Sequence, residues 1–354
     1  MGNKRVRLGI VGAGNVTVNH YMPRFQAIDG VDLVAVANRT RESAEIAADT
    51  LGIPVVYDHW NSLMEDPDID AVYIGTWPYM HRTLVLKALE NEKHVLTQAR
   101  MASSVSEARE MLAASLLKPH LIAQVVSSSI LPPNVMRKLI DLVNNGPVGK
   151  VLSADFTLRQ GFTDHDPDFA WRHDRDLSGF NIMMVGARYE SLMRILGPAT
   201  SVTAITKLSY PMRRDGNMRV HTSIPDHAEV ISDLAGGGTL HMAVSTVTGL
   251  GPPSELWVFG TEGTVRCLCD PPINVKDQDP TWLWLGTIKD PEMVKVSVPD
   301  PYGTSVETAR EFIAAIRGEQ TVGDTTFVDG LRYVEFTEAV TRSAQERQTI
   351  SLPM

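Results

Sequence analysis

The chain has 354 residues, of which 43% are apolar and 21% charged, a composition typical of a folded globular protein rather than a disordered or fibrous one. Its length suits two domains. The formal net charge of −9 argues against nucleic acid and anionic membrane surfaces as partners. No stretch approaches the ~18 consecutive apolar residues of a membrane span, and a strand is predicted where a signal peptide would lie, so we expect a cytoplasmic protein.

The first third of the chain alternates short apolar runs with longer stretches of helical periodicity. Strands separated by helices of ten or more residues indicate βαβ units and a parallel sheet that is covered on both faces. Residues 1–124 are therefore predicted to form a doubly wound dinucleotide-binding domain. Its strands are expected at 6–11, 33–37, 71–75, 94–97 and 121–126, and its helices after Gly14 and at 41–51, 81–91 and 105–116.

The remainder of the chain, residues 125–354, has a different pattern. Alternating strands interrupted by glycine-rich turns indicate a mostly antiparallel, open sheet, and four helical stretches would cover one of its faces. We predict an α+β domain for substrate binding and oligomerisation. Its strands are expected at 151–158, 228–234, 238–248 and 255–259, and its helices at 133–144, 181–196, 306–317 and 327–347.

A glycine-rich turn follows the first predicted strand. Gly12 and Gly14 stand between this strand and a helix in the order G-x-G-x-x, and Thr17 occupies the position of the third glycine of the dinucleotide fingerprint. Gly12 would allow the tight turn, and Gly14 would let backbone N–H groups approach a pyrophosphate, with Asn15 and Val16 beginning the helix. A purely structural turn is the alternative, but strand, turn and helix in this order favour nucleotide binding.

The second predicted strand ends without the carboxylate that binds the ribose 2′-hydroxyl of NAD. The sequence there is Asn38, Arg39, Thr40 and Arg41, which supplies cations and hydrogen-bond donors that suit a 2′-phosphate. This mildly favours NADP over NAD. Surface arginines that simply open a helix are the alternative, so the choice of cofactor stays open.

Four further segments add to the glycine fingerprint at 9–16. They are a strand ending in a T-P-x-x-x-H-like turn at 71–81, an A-L-x-x-G-K-H-V-like run at 88–96, a W-R run before a glycine at 171–179, and a helix with a final strand at 329–353. Together the five segments resemble the Gfo/Idh/MocA family of NAD(P)-dependent sugar and polyol oxidoreductases, and they run through nearly the whole chain.

The resemblance implies a Rossmann domain followed by an α/β domain, with the nicotinamide lying between them. It also implies that the open sheet serves as a contact face, so we expect a homo-oligomer, either a dimer or a tetramer, that binds a small-molecule substrate. The positions that match the family's cofactor-binding segments are Thr76, Trp77, His81, Gln98, Trp171 and Arg172.

The family's catalytic positions are changed in this chain. Where the family carries E-K-P, the sequence has Gln98-Ala99-Arg100, and where it carries D-x-G-x-H, Met184 and Arg188 replace the acid and the histidine. An arginine stays protonated, so neither Arg100 nor Arg188 can act as a neutral base. Arg188 could instead bind a carboxylate, sulfonate or phosphate, or stabilise an enolate, although pairing with an internal acid is an equally simple reading.

Other residues could supply the missing proton transfer. We consider His81 and Tyr189, together with His165 in an acidic loop at 163–168, as catalytic candidates alongside Arg188. Each of them could also be structural. No metal site is predicted, because consecutive Asp and His residues on an extended segment point to opposite sides, and because Cys267 and Cys269 lack a second pair.

Three functions are compatible with these features. The first is an NAD(P)-dependent oxidoreductase that acts on a sugar-like or related small polar substrate, which could be anionic, with an altered acid/base set. The second is a glycosidase or lyase that retains its cofactor and uses transient oxidation. The third is a non-catalytic NAD(P)-binding regulatory protein. The first agrees best with a resemblance that spans the chain.

Overall fold

The computed structural model describes residues 5–161, 166–180, 184–252, 254–269, 282–301, 307–323 and 325–354. Contacts divide the chain into two compact units. The first comprises Met1–Ser127 and Val306–Val334, and the second comprises Ser128–Ser305 and Glu335–Met354. Each unit has its own sheet.

The first unit is built on a six-stranded parallel sheet with the strand order β3-β2-β1-β4-β5-β6. The order reverses beside β1, and in sheets of this kind ligands bind at the carboxyl ends of the strands next to such a reversal. The strands are β1 (Val6–Val11), β2 (Val31–Ala37), β3 (Val55–Tyr57), β4 (Ala71–Ile74), β5 (His94–Thr97) and β6 (Ala123–Val125).

Helices connect these strands and cover the sheet. The helix after β1 starts irregularly, because Thr17–Tyr21 are wound as a π-helical turn that continues into α1. Two of the other helices begin at side-chain caps, since Thr40 accepts the backbone N–H of Ser43 and Ser104 accepts that of Glu107. The helices are α1 (Met22–Gln26), α2 (Arg41–Leu51), α3 (Trp60–Glu65), α4 (Pro78–Glu90) and α5 (Val105–Leu116).

The second unit has a nine-stranded sheet with the order β16-β15-β14-β13-β7-β12-β11-β8-β17, and β9 and β10 form a separate hairpin. Only the pair β7 and β12 is parallel among these described strands. The strands are β7 (Val151–Arg159), β8 (Ser201–Lys207), β9 (Met212–Asp215), β10 (Met218–His221), β11 (His227–Asp233), β12 (Thr239–Ser245), β13 (Glu255–Gly260), β14 (Gly263–Leu268), β15 (Leu283–Thr287), β16 (Val294–Val296) and β17 (Ile350–Ser351).

The helices that follow β6 in the chain contribute to both units. The core of the second unit contains a stacked pair of rings, Tyr189 and Phe336, whose centroids are 3.6 Å apart. The helices are α6 (Pro133–Asn144), α7 (Arg175–Ser178), α8 (Val185–Leu196), α9 (Glu307–Arg317) and α10 (Phe327–Glu346). No helix in the described ranges is long and apolar enough to cross a membrane.

The predicted fold class is confirmed: a parallel Rossmann sheet is followed by a mostly antiparallel sheet with helices. One segment departs from the expected organisation. The helix α9 was expected in the second domain, but Phe312, Ile313 and Ile316 belong to the same buried cluster as Phe25 and Val36 of the first unit. Burying this apolar face outweighs proximity in the chain. A domain boundary at residue 124 stays a prediction.

Candidate functional site

The glycine turn after β1 lies directly against the turn after β4. Gly12 has φ +90°, and a Cβ there would come within 2.5 Å of the backbone nitrogen of Thr76. A Cβ on Gly75 would lie 2.3 Å from Thr17 Oγ1, which itself donates a 3.2 Å hydrogen bond to the Gly12 carbonyl. Glycine is therefore required at both positions for two strand ends to meet.

Gly14 has a different environment from Gly12. A Cβ added to Gly14 would meet no atom within 4 Å, so the space beside this glycine is open. The helix then begins, and Asn15 accepts a hydrogen bond from the side chain of Asn19 while Val16 remains 44% exposed. The open side of Gly14 leaves room for a ligand to approach the backbone at the start of the helix.

A pocket lies over these turns at the carboxyl ends of β1, β2 and β4. It brings together most of the residues predicted to bind the cofactor in the first unit. It is lined by Gly12, Ala13, Gly14, Asn38, Arg39, Thr40, Ser43, Gly75, Thr76, Trp77, Tyr79 and Met80.

Asn38 occupies the position at the end of β2 where an NAD-binding carboxylate was sought. Its Oδ1 accepts the backbone N–H of Ala13 at 2.7 Å, and its Nδ2 donates to the Ser43 carbonyl at 2.9 Å. The side chain thus ties the glycine turn to the first turn of α2. Because an amide carries no charge, it does not repel a phosphate at this side of the pocket.

The two arginines that follow Asn38 differ in their contacts. Arg41 is ion-paired with Glu45 at 2.7 Å and Asp58 at 2.6 Å. Arg39 instead lies over the Trp77 ring, 5.8 Å from its centroid, in the wall of the pocket. Thr40 lies between them in the chain and caps α2. Arg39 is therefore the cation of this pair that a ligand in the pocket can reach.

The residues present fit a dinucleotide. The hydroxyl Oγ1 of Thr76 is buried and has no hydrogen-bond partner, so this pocket residue has unused hydrogen-bonding capacity. Together with the open face of Gly14 and the guanidinium of Arg39, it provides groups that can bind phosphate and ribose oxygens.

His81 is completely buried and does not line the pocket. Its Nε2 is 2.9 Å from the carbonyl oxygen of Thr76, and its Nδ1 is 2.9 Å from that of Arg100 and 3.1 Å from that of Met101. Burial lowers the pKa of His81, while the carbonyl contacts oppose that shift. The ring connects two backbone segments, which is a positioning role and does not support the prediction that it is catalytic.

Gln98 and Arg100 follow β5. The amide Nε2 of Gln98 donates to the hydroxyl of Tyr73 at 2.8 Å, and burial raises the pKa of that tyrosine well above its usual value. Ala99 stands where the family has its lysine, and the following Arg100, at the position of the proline, is only 9% exposed. Neither residue lines the pocket over the glycine turn.

Several predicted residues lie in the second unit. Arg172 is exposed, and its guanidinium lies 4.5 Å from the centroid of the neighbouring Trp171 ring. Arg188 is partly exposed and lies one turn after Met184, at the start of α8. His165 lies outside the described residues, and no group of three or more potential metal ligands occurs in the described part of the chain. The cysteines Cys267 and Cys269 are free and buried.

Tyr189 is a core residue of the second unit. It is 1% exposed, stacks on Phe336 at an interplanar angle of 3°, and its hydroxyl accepts the backbone N–H of Ala199 at 2.7 Å. A hydroxyl that is buried and already bonded is poorly placed to exchange protons with a substrate. The structure therefore does not support the catalytic prediction for Tyr189.

Comparisons with known proteins add to this geometry. A profile described as an oxidoreductase family with an NAD-binding Rossmann fold matches residues 6–122, and the GFO/IDH/MocA C-terminal domain matches residues 136–266. The chain belongs to the Gfo/Idh/MocA family. This is a family of enzymes, and the first unit of this Gfo/Idh/MocA protein carries the family's NAD-binding Rossmann domain.

Curated relatives match parts of this Gfo/Idh/MocA chain. A dTDP-3,4-didehydro-2,6-dideoxy-alpha-D-glucose 3-reductase of Streptomyces violaceoruber is 29% identical over 49% of this chain and 49% of the relative. An enzyme of the same name from Saccharopolyspora spinosa is 26% identical over 74% of each chain. The match spans less than half the length of several curated relatives, including the Streptomyces enzyme.

A solved structure covers the Gfo/Idh/MocA chain almost completely. The oxidoreductase domain protein from Kribbella flavida superposes with a TM-score of 0.87 at 20% identity, covering 99% of this chain and 100% of that one. At this identity the likeness establishes the fold alone.

One candidate residue was missed by the sequence analysis. Arg213 in β9 is a cation that is only 7% exposed, and its Nε is buried without a hydrogen-bond partner. Gly216 and Asn217 form the two-residue turn between β9 and β10, and this pair is a known hairpin signal that could have drawn attention to the strand that carries Arg213.

Proposed function

We propose that this protein is an NAD(P)-dependent oxidoreductase that acts on a sugar-like or related small polar substrate. The pocket over the glycine turn carries the proposal, because it joins an open Gly14, an unpartnered Thr76 hydroxyl and the Arg39 guanidinium at the ends of three parallel strands. Relatives named as deoxysugar reductases and as an inositol dehydrogenase support a polyhydroxylated substrate.

The described residues would hold the cofactor in the following way. Backbone N–H groups near Gly12 and Gly14 would bind phosphate, and Thr76 and Trp77 would line its path. When bound, the nicotinamide supplies hydride exchange with the substrate. Arg39 would bind a 2′-phosphate, which mildly favours NADP over NAD. Gln98, Trp171 and Arg172 stay predicted cofactor contacts.

The acid/base set is altered relative to the family resemblance. Ala99 stands at the position of the lysine and Arg188 at that of the histidine, and the guanidinium of Arg188, like that of Arg100 next to Ala99, is permanently protonated. In our proposal Arg188 binds an anionic group or a developing enolate, and proton transfer depends on another group. His165 stays a prediction for that role, whereas the burial of His81 and Tyr189 argues against them.

Turnover of the cofactor tests the proposal directly. The purified protein would be mixed with NADP(H) or NAD(H) and a panel of sugars, polyols, uronates and keto acids, and the nicotinamide absorbance followed. We expect net oxidation or reduction with at least one class. Product formation without net cofactor turnover would favour a cofactor-retaining glycosidase or lyase, and binding without any chemistry would favour a regulatory protein.

We also propose that the protein forms a homo-oligomer, a dimer or tetramer, through the open face of its large sheet. Ile205 of β8 and Ile231 of β11 support this, because they lie on one face of adjacent strands and are 62% and 58% exposed. A monomeric mass by light scattering would contradict it.

A further inference from the structure

The β9–β10 hairpin of the second unit is attached to the segment that leads into Trp171. The backbone N–H of Phe169 donates to the Arg214 carbonyl at 2.7 Å, and that of Arg214 donates to the Pro167 carbonyl at 2.9 Å. The hydroxyl of Thr222, just after β10, donates to the His173 carbonyl at 2.7 Å. The hairpin is therefore fixed at two places to the stretch that runs from Pro167 to His173.

The acids of this region are paired on the exposed side of the hairpin. Arg214 binds Asp168 at 2.7 Å, and Arg219 binds Asp166 at 2.7 Å. All four of these side chains are well exposed. On the exposed side of the hairpin, the positive charges of the arginines are thus balanced by the aspartates.

Arg213 points to the other side because side chains alternate along a strand. It is 7% exposed and makes no ion pair with a carboxylate in the part of the chain that the structure describes. The nearby acid Asp226 accepts backbone N–H groups of Ser209 and Tyr210 at 2.8 to 2.9 Å, so both of its oxygens already accept hydrogen bonds. Burial lowers the pKa of Arg213, and the charge of Asp226 opposes that shift.

His173 lies on the same side of the hairpin as Arg213, because the Thr222 side chain that bonds the His173 carbonyl alternates onto that face. Burial, followed by the positive charges of Arg213 and Arg172, lowers the pKa of His173 to about 4. Its Nδ1 accepts the backbone N–H of Ala170 at 2.9 Å, which also favours the neutral ring. The adjacent acid, Asp174, accepts the backbone N–H of Asp176 as the cap of α7. The charges of Arg213 and Arg172 thus both act on His173, and the acids described in this region already bond to other arginines or to backbone N–H groups.

We propose that Arg213 and Arg172 form a binding site for an oxyanion carried by the substrate, either a carboxylate or a phosphate group. A buried guanidinium without a carboxylate is costly, and an oxyanion supplies the bidentate acceptor that it lacks. Arg172 is exposed and would contact the anion as it enters from solvent. The buried guanidinium of Arg213 would favour an anionic ligand over a neutral one. The proposal rests on the proposed function only for the sugar part of the ligand.

Two neighbouring arginines on one strand give a matched test. Arg213→Gln removes the buried guanidinium, while Arg214→Gln removes the exposed one. Equilibrium binding would be measured by calorimetry with glucuronate, glucose 6-phosphate, glucose and inorganic phosphate. We expect the anionic sugars to bind the wild type more tightly than glucose, and Arg213→Gln to weaken them about tenfold or more, the effect of losing a charged hydrogen bond. Arg214→Gln should change them little.

Two results would overturn the site. One is equal affinity of the wild type for glucose and both anionic sugars. The other is an equal loss in the two variants, or a loss of NAD(P)H affinity in Arg213→Gln, which would assign the cation to the cofactor. Of glucuronate and glucose 6-phosphate, the one that loses more affinity in Arg213→Gln identifies the preferred anion as a carboxylate or a phosphate. Arg213-dependent binding of inorganic phosphate without any cofactor turnover would keep the site and reject the proposed function.

Unfolding curves of Arg213→Gln and Arg214→Gln show whether a loss of binding results from a loss of folding. Removing a desolvated charge should leave Arg213→Gln at least as stable as Arg214→Gln, because the buried Nε of Arg213 makes no hydrogen bond that could be lost. If Arg213→Gln is unfolded, Arg172→Gln provides the second variant, and it should weaken the same anionic ligands.

Discussion

Gly14 is the residue at which ligand binding and folding can be separated most cleanly. An added Cβ meets nothing within 4 Å at Gly14, but it meets backbone at 2.4 Å and a side chain at 2.3 Å at Gly75. We expect Gly14→Ala to keep its stability and to bind NAD(P)H at least tenfold more weakly, because the methyl group occupies the ligand's approach. Gly75→Ala should lose stability as well. Thermal unfolding and fluorescence titration measure the two effects, and unchanged affinity in Gly14→Ala would contradict the phosphate-binding role.

Arg39 determines the choice of cofactor in our proposal. Arg39→Gln should weaken NADPH about tenfold or more and leave NADH nearly unchanged, because only NADPH carries the 2′-phosphate. Arg41→Gln is the matched control, since Arg41 is already paired with Glu45 and Asp58. Titration of each variant with both cofactors measures the ratio of affinities. A ratio that stays at the wild-type value in Arg39→Gln would reject the assignment.

Tyr189 provides a test of a residue that the sequence favoured for catalysis. Tyr189→Phe removes the acceptor for the Ala199 N–H, which should cost about 1–3 kcal/mol of unfolding free energy while kcat stays within a few-fold of wild type. Denaturant unfolding and steady-state kinetics would separate the two quantities. A fall in kcat of several orders of magnitude at unchanged stability would restore the catalytic prediction.

At the scale of elements, the sequence predicted most of the regular structure of the first unit. The segments α2 and α5 were predicted at their observed bounds, because apolar spacing and side-chain caps act locally. The strands β8, β9 and β15 were not predicted. In β8 the burial alternates, but the exposed Ile205 beside the buried Ala204 hides this alternation in the sequence, and β9 and β15 are mostly exposed or half-buried. Their positions therefore depend on neighbouring strands rather than on a local pattern.

The candidate site was predictable in part for a similar reason. Gly12, Gly14 and Arg39 belong to one continuous βαβ pattern, and its turns carry recognisable residues. His81 shows the limit of this approach, because a motif gives the position of a histidine but not what its ring nitrogens contact. Arg213 was missed since its significance comes from burial without an acid, which only tertiary structure defines.

The turn at Trp171–His173 should make stability depend on pH. The folded pKa of His173 is about 4, below the ordinary value of 6.5, so the unfolded chain binds more protons between these values. The free energy of unfolding should therefore rise by about 1–3 kcal/mol as pH increases from 4 to 6.5, and this contribution is lost as pH falls through that range. His81 should contribute in the same direction, because its pKa is also lowered.

His173→Gln is the variant that checks this dependence. It should flatten the pH profile of unfolding between 4 and 6.5, with His221→Gln on the exposed strand β10 as the control. A profile that keeps the wild-type slope in His173→Gln would show that other groups are responsible.

At the scale of the whole molecule, α9 makes the first unit discontinuous in sequence. Phe312 is completely buried in the cluster that also holds Phe25 and Val36. Phe312→Ala should lower the free energy of unfolding by about 3–5 kcal/mol, the usual effect of emptying such a site. Arg310→Ala, on the exposed side of the same helix, should change it by less than about 0.5 kcal/mol. Equal effects in chemical denaturation would contradict the assignment of α9 to this core.

The helix α9 comes late in the sequence although it packs in the first unit, and this order also affects folding during biosynthesis. About 180 residues separate β6 from the buried face of α9, and at ordinary rates of translation this interval takes roughly 10–40 s. Throughout that time the nascent chain holds a nearly complete parallel sheet whose covering helix has not been made. We expect the exposed apolar surface to be the part of this protein that chaperones protect while it is still on the ribosome.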